Sequence, residues 1–148
     1  MKLVIASDHA GFPLKEKIVQ FLSQEKINVE DLGVHDSSSV DYPDFAVKVA
    51  EAVSSQKVDA GILVCGTGLG MSITANKFKG VRAVAVSDLY SARMAKEHNN
   101  ANVLALGGRV LDASKALRLV KVWLQSSFQE RHQKRLDKIR DLEKKNFK

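Results

Sequence analysis

The hydrophobic residues of this chain fall into short runs that alternate with longer amphipathic segments. Leu3 to Ala6, Ala60 to Val64 and Val103 to Leu106 are continuously apolar, which is typical of strands buried on both faces of a sheet. Ile27 to Leu32 alternates more between apolar and polar residues, so we expect a strand nearer the edge of the sheet. Val81 to Val86 completes the set of predicted strands.

A segment of helical length separates each strand from the next. In the first of them Leu14, Ile18 and Leu22 recur at helical spacing, with Lys15 among the polar residues between them. The apolar positions that define the later helices are Phe45, Val49 and Val53, then Met71 to Phe78, then Ala92 and Ala95, and finally Leu117, Val120 and Leu124. Strands that alternate with helices predict an α/β fold with a parallel sheet and helices on both faces. Ligands of such sheets bind beyond the C-terminal ends of the strands.

The segment Gln129 to Lys145 is too charged for a core helix. From residue 130 to residue 148 there are eight Lys or Arg against four acids, so this segment carries +4 of the net charge of +6 and leaves +2 for the rest. A nucleic-acid surface is therefore not expected. The apolar positions in this segment form a narrow stripe of His132, Leu136, Ile139 and Leu142 or Glu143. A stripe that narrow suits packing against a partner chain.

The composition fits one globular domain over residues 1–148, with an apolar share of 45%. A single cysteine cannot form an internal disulfide. The first apolar run stops at Ser7, so we expect no signal peptide, and no apolar stretch approaches the length of a membrane span. A cytoplasmic protein is the expectation.

The one cysteine lies in a cluster of closely spaced glycines, Val64-Cys65-Gly66-Thr67-Gly68-Leu69-Gly70, which predicts a strand, a tight loop and the start of a helix. Such a loop arranges backbone N–H groups around a small concavity that favours anionic oxygens. The same field would favour the thiolate form of Cys65. The alternative is that Cys65 is only a small buried hydrophobic residue.

A glycine cluster can also belong to a dinucleotide site or to a Walker loop. A dinucleotide site would use Asp88, about 20 residues further on, as the ribose-binding acid. The spacing G-x-G-x-G differs from G-x-G-x-x-G, however, and the loop belongs to the third strand instead of the first. No Gly-Lys-Ser/Thr follows, so a phosphate-binding Walker loop is excluded. The four histidines show no metal-ligand spacing, and no metal site is expected.

Several other polar residues are candidates for the same site. Asp8 and His9 follow the first strand, and His98 lies near the end of a helix, where either could serve only as a helix cap or helix-end residue. Arg131 and Arg135 are four residues apart, so their guanidinium groups leave one helix face together and match a phosphate. We expect these groups to surround the glycine loop. A thiol, two histidines, an oxyanion-binding loop and paired arginines suit proton transfer next to a carbonyl in a phosphorylated substrate.

The chain resembles the family of ribose-5-phosphate isomerase B and the galactose-6-phosphate isomerases. The resemblance covers nearly the whole chain. Its motifs are Ser7-Asp8-His9-Ala10-Gly11, Val40-Asp41-Tyr42-Pro43-Asp44, Cys65-Gly66-Thr67-Gly68-Leu69-Gly70, Ala75-Asn76-Lys77, His98-Asn99-Asn100-Ala101-Asn102, Gly108-Arg109 and Arg131-His132-Gln133-Lys134-Arg135.

The resemblance implies a three-layer Rossmann-like sandwich with a five-stranded parallel sheet. It implies a homodimer or tetramer in which the C-terminal segment 128–148 exchanges onto a partner subunit. The expected reaction interconverts ribose 5-phosphate and ribulose 5-phosphate through an enediolate, in the pentose phosphate pathway, without a cofactor.

The resemblance also assigns roles to single residues. Cys65 would move the proton between C2 and C1, while Thr67 and the loop amides hold the oxyanion. His98 with Asp8 would open the furanose ring. The expected substrate-binding residues are His9, Arg131 and Arg135 for phosphate, Arg109 and Tyr42 for the pocket wall, the loop residues Gly66, Gly68, Leu69 and Gly70, and Asn99, which with His98 reaches across the dimer interface.

Substrate size stays open at this point. One branch of the family replaces the cysteine and places a glutamate where this chain has Met71, so Cys65 has no substitute here. A single chain that keeps both Cys65 and His98-Asn99 favours a homomeric pentose-phosphate enzyme. The alternatives are a hexose phosphate, such as allose 6-phosphate or galactose 6-phosphate, and a nucleotide-binding module.

Overall fold

A computed structural model describes residues 1–147 and contains one five-stranded sheet. The strands are β1 (Leu3–Ser7), β2 (Val29–Asp31), β3 (Ala60–Cys65), β4 (Ala83–Ala85) and β5 (Val103–Gly107). All neighbours pair in parallel, in the order β2-β1-β3-β5-β4, which confirms the predicted parallel sheet and the edge position of β2. Both edge strands start later than predicted because the backbone before them bonds elsewhere: the Ile27 N–H donates to Leu22 O and the Val81 N–H to Phe78 O.

Helices cover both faces of the sheet, which confirms the three layers. They are α1 (Phe12–Gln24), α2 (Tyr42–Ser54), α3 (Leu69–Ala75), α4 (Leu89–Glu97), α5 (Ala113–Gln125) and α6 (Gln133–Asn146). Strand residues alternate between two cores: Ile5 and Ile62 pack with α1, α4 and α5, whereas Val4 and Leu63 pack with α2 and α3. Within residues 1–147, none of these helices is long and apolar enough to cross a membrane.

The order of the strands creates a crevice at the C-terminal ends of β1 and β3. From β1 the chain moves outward to β2 on one side, and it then returns to place β3 on the other side of β1. Connections that leave in opposite directions open a gap between the C-terminal ends of two neighbouring strands, where α/β proteins bind their ligands. Here those ends are Ser7, which directly precedes Asp8 and His9, and Cys65, which begins the glycine loop.

The charged C-terminal segment folds into α6, but four residues later than the predicted start at Gln129. A short 3-10 turn, Glu130–His132, precedes the helix. The predicted apolar stripe divides: His132 and Leu136 are buried, whereas Ile139 and Leu142 are 49% and 59% exposed. The Glu143 carboxylate accepts from the Gly80 N–H at 3.0 Å, which attaches α6 beside the start of β4. The outer half of the stripe therefore remains uncovered in the single subunit.

Candidate active site

The glycine loop wraps its backbone around the thiol of Cys65. Cys65 is the last residue of β3, and it is only 5% exposed. Gly68 has a φ of +82°, a left-handed conformation that glycine adopts readily, and its N–H donates to Cys65 Sγ at 3.1 Å. A thiolate accepts such a bond better than a thiol does. The loop therefore holds the sulfur against a backbone donor, as the sequence interpretation requires.

The turn after β5 packs against this loop and brings Arg109 to it. The Gly108 N–H donates to Cys65 O at 2.7 Å, and the Arg109 N–H donates to Gly66 O at 3.0 Å. A Cβ on Gly107 would lie 2.8 Å from Thr67 Cα, so this approach requires glycine. The side chain of Arg109 runs along Gly66, with Cδ 3.4 Å from the place where a Cβ would be. An exposed guanidinium thus lies at the edge of the loop.

Asp8 and His9 occupy the turn after β1, directly beside the thiol strand. The Asp8 N–H donates to Val64 O at 3.2 Å, and Asp8 Oδ1 accepts from the Gly11 N–H at 2.9 Å. Asp8 thus closes the turn that leads into α1, and it does not cap the helix, whose N-cap residue is Gly11 and which has no side-chain cap. The Val40 N–H donates to His9 Nδ1 at 3.2 Å. Because Nδ1 is the acceptor, the proton of the neutral imidazole lies on Nε2.

Tyr42, the first residue of α2, contacts the glycine loop at Gly70, whereas Arg109 contacts it at Gly66. The Tyr42 ring packs so closely on Gly70 that a Cβ there would overlap the ring carbons. The structure thus brings together most of the predicted site at the C-terminal edge of the sheet. We call this group the thiol half-site; its members are Asp8, His9, Tyr42, Cys65 to Gly70, and Arg109.

A second group gathers around two histidine rings that contact each other at an angle of 37°. His98 ends α4, and its ring centroid lies 4.1 Å from that of His132. Arg135 Nη1 lies 3.1 Å from His132 Nδ1. The Gln129 N–H donates to Glu97 O at 2.9 Å and so joins the tail to α4. We call this group the imidazole half-site; its members are His98, Asn99, Arg131, His132 and Arg135.

The two half-sites lie at opposite ends of the strands: the thiol half-site at their C-terminal ends and the imidazole half-site at their N-terminal ends. α4 starts at Asp88, beyond the C-terminal end of β4, and runs back to His98, before the start of β5. Because the strands are five or six residues long, the two ends of the sheet are about 17–20 Å apart. Within residues 1–147 no hydrogen bond joins the two groups. Within one chain His98 therefore does not lie beside Cys65 with the other predicted groups, because it follows a helix and not a strand; the expectation that His98 reaches across a dimer interface stays a prediction.

His132 belongs to this group although the sequence analysis gives it no role in the site: it appears there in the apolar stripe and as part of the motif from Arg131 to Arg135. The side chain is buried, and Nε2 has no hydrogen-bond partner in the described part of the chain. Burial lowers the pKa of His132 from its ordinary value of 6.5, and the charges of Arg131, His98, Arg135 and Lys134 act in the same direction. The Arg-His-x-x-Arg spacing was the available signal, because it places His132 between the arginines.

This lowered pKa predicts a loss of stability in mild acid. Below pH 6.5 the unfolded chain binds a proton at His132 that the folded chain does not, so the free energy of unfolding falls as the pH drops toward the folded-state pKa. We expect the melting temperature to decrease between about pH 7.5 and about pH 5.5. His132→Gln should flatten that dependence, measured by thermal unfolding across pH. The exposed His35 offers the control, since His35→Gln should keep the wild-type slope. Equal slopes for all three proteins would contradict the assignment.

The geometry also bears on the dinucleotide alternative. Asp88 Oδ1 accepts from the Ser91 N–H at 2.7 Å, so this carboxylate caps α4. The backbone bond from Ser91 lowers the pKa of Asp88. β5 separates β3 from β4, which places Asp88 two strands away from the glycine loop. Asp88 is thus used as a helix cap, away from the position of a ribose-binding acid. Among residues 1–147, no cluster of three His, Cys, Asp or Glu side chains is arranged to hold a metal.

Comparison with known proteins decides the family. The model of a family described as Ribose/Galactose Isomerase matches residues 3–139. This chain belongs to the ribose/galactose isomerase family. A relative in that family, the ribose-5-phosphate isomerase B of Escherichia coli, is 45% identical over 145 residues, which are 97% of each chain.

Solved structures of the ribose/galactose isomerase family share the whole fold. The ribose-5-phosphate isomerase B of Clostridium thermocellum is 52% identical, with a TM-score of 0.95 over 98% of this chain and 99% of that one. The enzyme of the same name from Mycoplasma genitalium was solved with bound ribulose-5-phosphate. It is 43% identical, with a TM-score of 0.93 over 98% of this chain and 97% of its own.

Proposed function

We propose that this chain interconverts D-ribose 5-phosphate and D-ribulose 5-phosphate through an enediolate. The observation that carries the proposal is the buried thiol of Cys65, which receives the Gly68 N–H inside a glycine turn. A base next to preorganised backbone donors is what proton transfer beside a carbonyl requires. The relative with bound ribulose-5-phosphate supports the choice of a pentose phosphate.

Cys65 is the proposed base in the isomerisation. Its thiolate takes the proton from C2 of the open-chain aldose, and the electron pair moves onto the carbonyl oxygen to form an enediolate. The thiol then returns the proton to C1, while the O2 proton passes to O1, so that the ketose forms with no net gain or loss of atoms. The oxyanion would be held by the backbone N–H groups of the loop and by Thr67, whose Oγ1 accepts from the Leu69 N–H at 3.3 Å and keeps its own proton to donate.

Ring opening and phosphate binding need residues of both half-sites. His98 with Asp8 would move the proton that opens the furanose, and Arg131, Arg135 and His9 would bind the phosphate. Asp8 and His9 lie at the C-terminal ends of the strands, whereas His98, Arg131 and Arg135 lie at the N-terminal ends. One subunit therefore cannot supply all five residues to a single site. The proposal therefore includes a homodimer in which the thiol half-site of one subunit faces the imidazole half-site of its partner, Asn99 included.

Exposed apolar side chains support this assembly. They are Leu69 and Ile73 on α3, Leu89 and Tyr90 on α4, and Ile139 and Leu142 on α6. A groove of about 440 Å³ between β4 and α6 is lined by Val81, Val84, Ile139 and Leu142 among others. Apolar surface of this kind is typical of an interface. We propose that segment 128–148 packs on the partner, as a dimer or within a tetramer, in a cytoplasmic enzyme that needs no cofactor.

A substrate panel tests the proposed activity. We expect kcat/KM for ribose 5-phosphate to exceed that for allose 6-phosphate or galactose 6-phosphate by about tenfold or more, which corresponds to about 1.4 kcal/mol of transition-state binding. Calorimetry with NAD should show no binding. A Cys65→Ala preparation purified in parallel controls for contaminating host isomerase. A higher kcat/KM with a hexose phosphate would replace the proposed substrate, and tight NAD binding would revive the nucleotide alternative.

A further inference from the structure

Lys15 is a fully buried lysine that the proposed reaction does not use. It lies on α1, where its ammonium contacts Asp31 Oδ1 at 2.7 Å and Asp31 Oδ2 at 2.8 Å and also donates to Val34 O. A lysine ammonium has three N–H donors, and these contacts occupy all of them. Burying a charged pair often contributes little net stability, so its presence calls for another explanation.

The ion pair fixes the segment that follows β2. Asp31 Oδ1 also accepts from the Gly33 N–H at 2.9 Å. The Ser7 N–H donates to Gly33 O at 2.8 Å, and the Val34 N–H donates to Ser7 O at 3.1 Å. Lys15 thus holds residues 31–34 against the last residue of β1, immediately before Asp8 and His9.

The loop that starts at Val34 returns to the site at its other end. Residues 35–39 are exposed, which leaves few contacts to set their path. At the far end the Val40 N–H donates to His9 Nδ1, and two residues later Tyr42 packs on Gly70. The route of loop 34–41 is therefore determined by the Lys15 ion pair at one end and by the His9 contact at the other.

We propose that Lys15 is a positioning residue: its ion pair with Asp31 sets loop 34–41, and Val40 then holds His9 as the Nε2–H tautomer. With Nδ1 occupied, the Nε2–H is the group left to donate to an anionic oxygen. The effect on substrate binding rests on the proposed function, because it assumes that His9 binds the phosphate. The effect on the tautomer requires no substrate.

The double variant Lys15→Met/Asp31→Asn is the test. It removes both charges together, so neither is left buried alone, and the amide oxygen of the introduced asparagine can still accept from the Gly33 N–H. We expect the purified protein to fold, judged by circular dichroism and gel filtration. Imidazole 15N NMR, with His9 assigned through a His9→Asn spectrum, should show loss of the pure Nε2–H tautomer. KM for ribose 5-phosphate should rise about tenfold, with a smaller change in kcat.

Lys17→Met is the matched control, because Lys17 is an exposed lysine on the same helix. It should retain the wild-type tautomer and KM. A folded double variant with His9 still in the Nε2–H form would overturn the proposal, whatever its KM. If the wild type does not turn over ribose 5-phosphate, the proposed function fails while the NMR comparison still decides the role of Lys15. If the double variant does not fold, Lys15→Leu/Asp31→Asn, which also leaves no buried charge without a partner, is studied by the same spectra, and an unchanged tautomer there also overturns the proposal.

Discussion

Cys65→Ala is expected to lower kcat by roughly 10²–10⁴-fold, the usual contribution of a general base. Alanine removes the only group in the thiol half-site that lies inside the glycine turn and can take a proton from C2. Binding of the sugar phosphate should change by only a few-fold, because the proposed phosphate ligands are untouched. Stopped assays give kcat, solvent deuterium exchange at C2 follows the proton transfer, and calorimetry gives Kd.

Cys65→Ser provides the matched comparison, since its hydroxyl can keep the bond from the Gly68 N–H but is a far weaker base. It should be as inactive as the alanine variant while retaining wild-type stability. Cys65 is the single cysteine of the chain, so a thiol-specific reagent that inactivates the enzyme acts there, and bound substrate should slow that inactivation. Near-normal turnover by either variant would show that another group is the base.

Mixing the inactive variants Cys65→Ala and His98→Asn should restore about one quarter of wild-type activity if each site is shared across a two-fold interface. Half of the dimers formed from an equal mixture contain one chain of each kind. In such a dimer one site carries both substitutions, whereas the other combines an intact Cys65 with an intact His98. The measurement is the specific activity after the two proteins are unfolded together and refolded.

Each variant refolded alone is the control, and with ribose 5-phosphate as the substrate it should stay inactive. A mixture no more active than the mean of its parents would show that His98 does not complete the site of its neighbour. His98→Asn alone should lose more rate with the aldose, which is ring-closed in solution, than with the open ketose. Comparing the two directions therefore separates ring opening from general damage to the fold.

Local pattern was sufficient to predict the sheet and to bring Asp8 and His9 beside Cys65, because each lies at the end of an apolar run and the C-terminal ends of parallel strands meet at one end of the sheet. Arg109 and Tyr42 are expected only from the family resemblance. Pattern alone also groups His98 with the glycine loop, because it does not distinguish the end of a helix from the end of a strand, and in alternating α/β connections the end of a helix lies at the start of the next strand. Applying that alternation to every polar turn would have separated the two half-sites without a structure.

Lys15 shows a different limit of sequence reasoning. The sequence counts Lys15 among the polar residues of an amphipathic helix, whereas in the structure its side chain is buried. The spacing held a signal, since Lys15, Ile18 and Leu22 share one helix face. What the sequence could not provide is the partner: Asp31 comes from a strand on the far side of a turn, and only the fold brings the two charges together.

The burial of Cys65 has a consequence for the redox chemistry of this protein. A thiolate reactive enough to move protons is also the form that peroxides attack, and the resulting sulfenate is rescued in many proteins by a second cysteine that forms a disulfide with it. This chain has no second cysteine, so an oxidised Cys65 could not be rescued by an internal disulfide. Because the glycine turn leaves Cys65 only 5% exposed, we expect the same turn that donates to the sulfur to slow its oxidation.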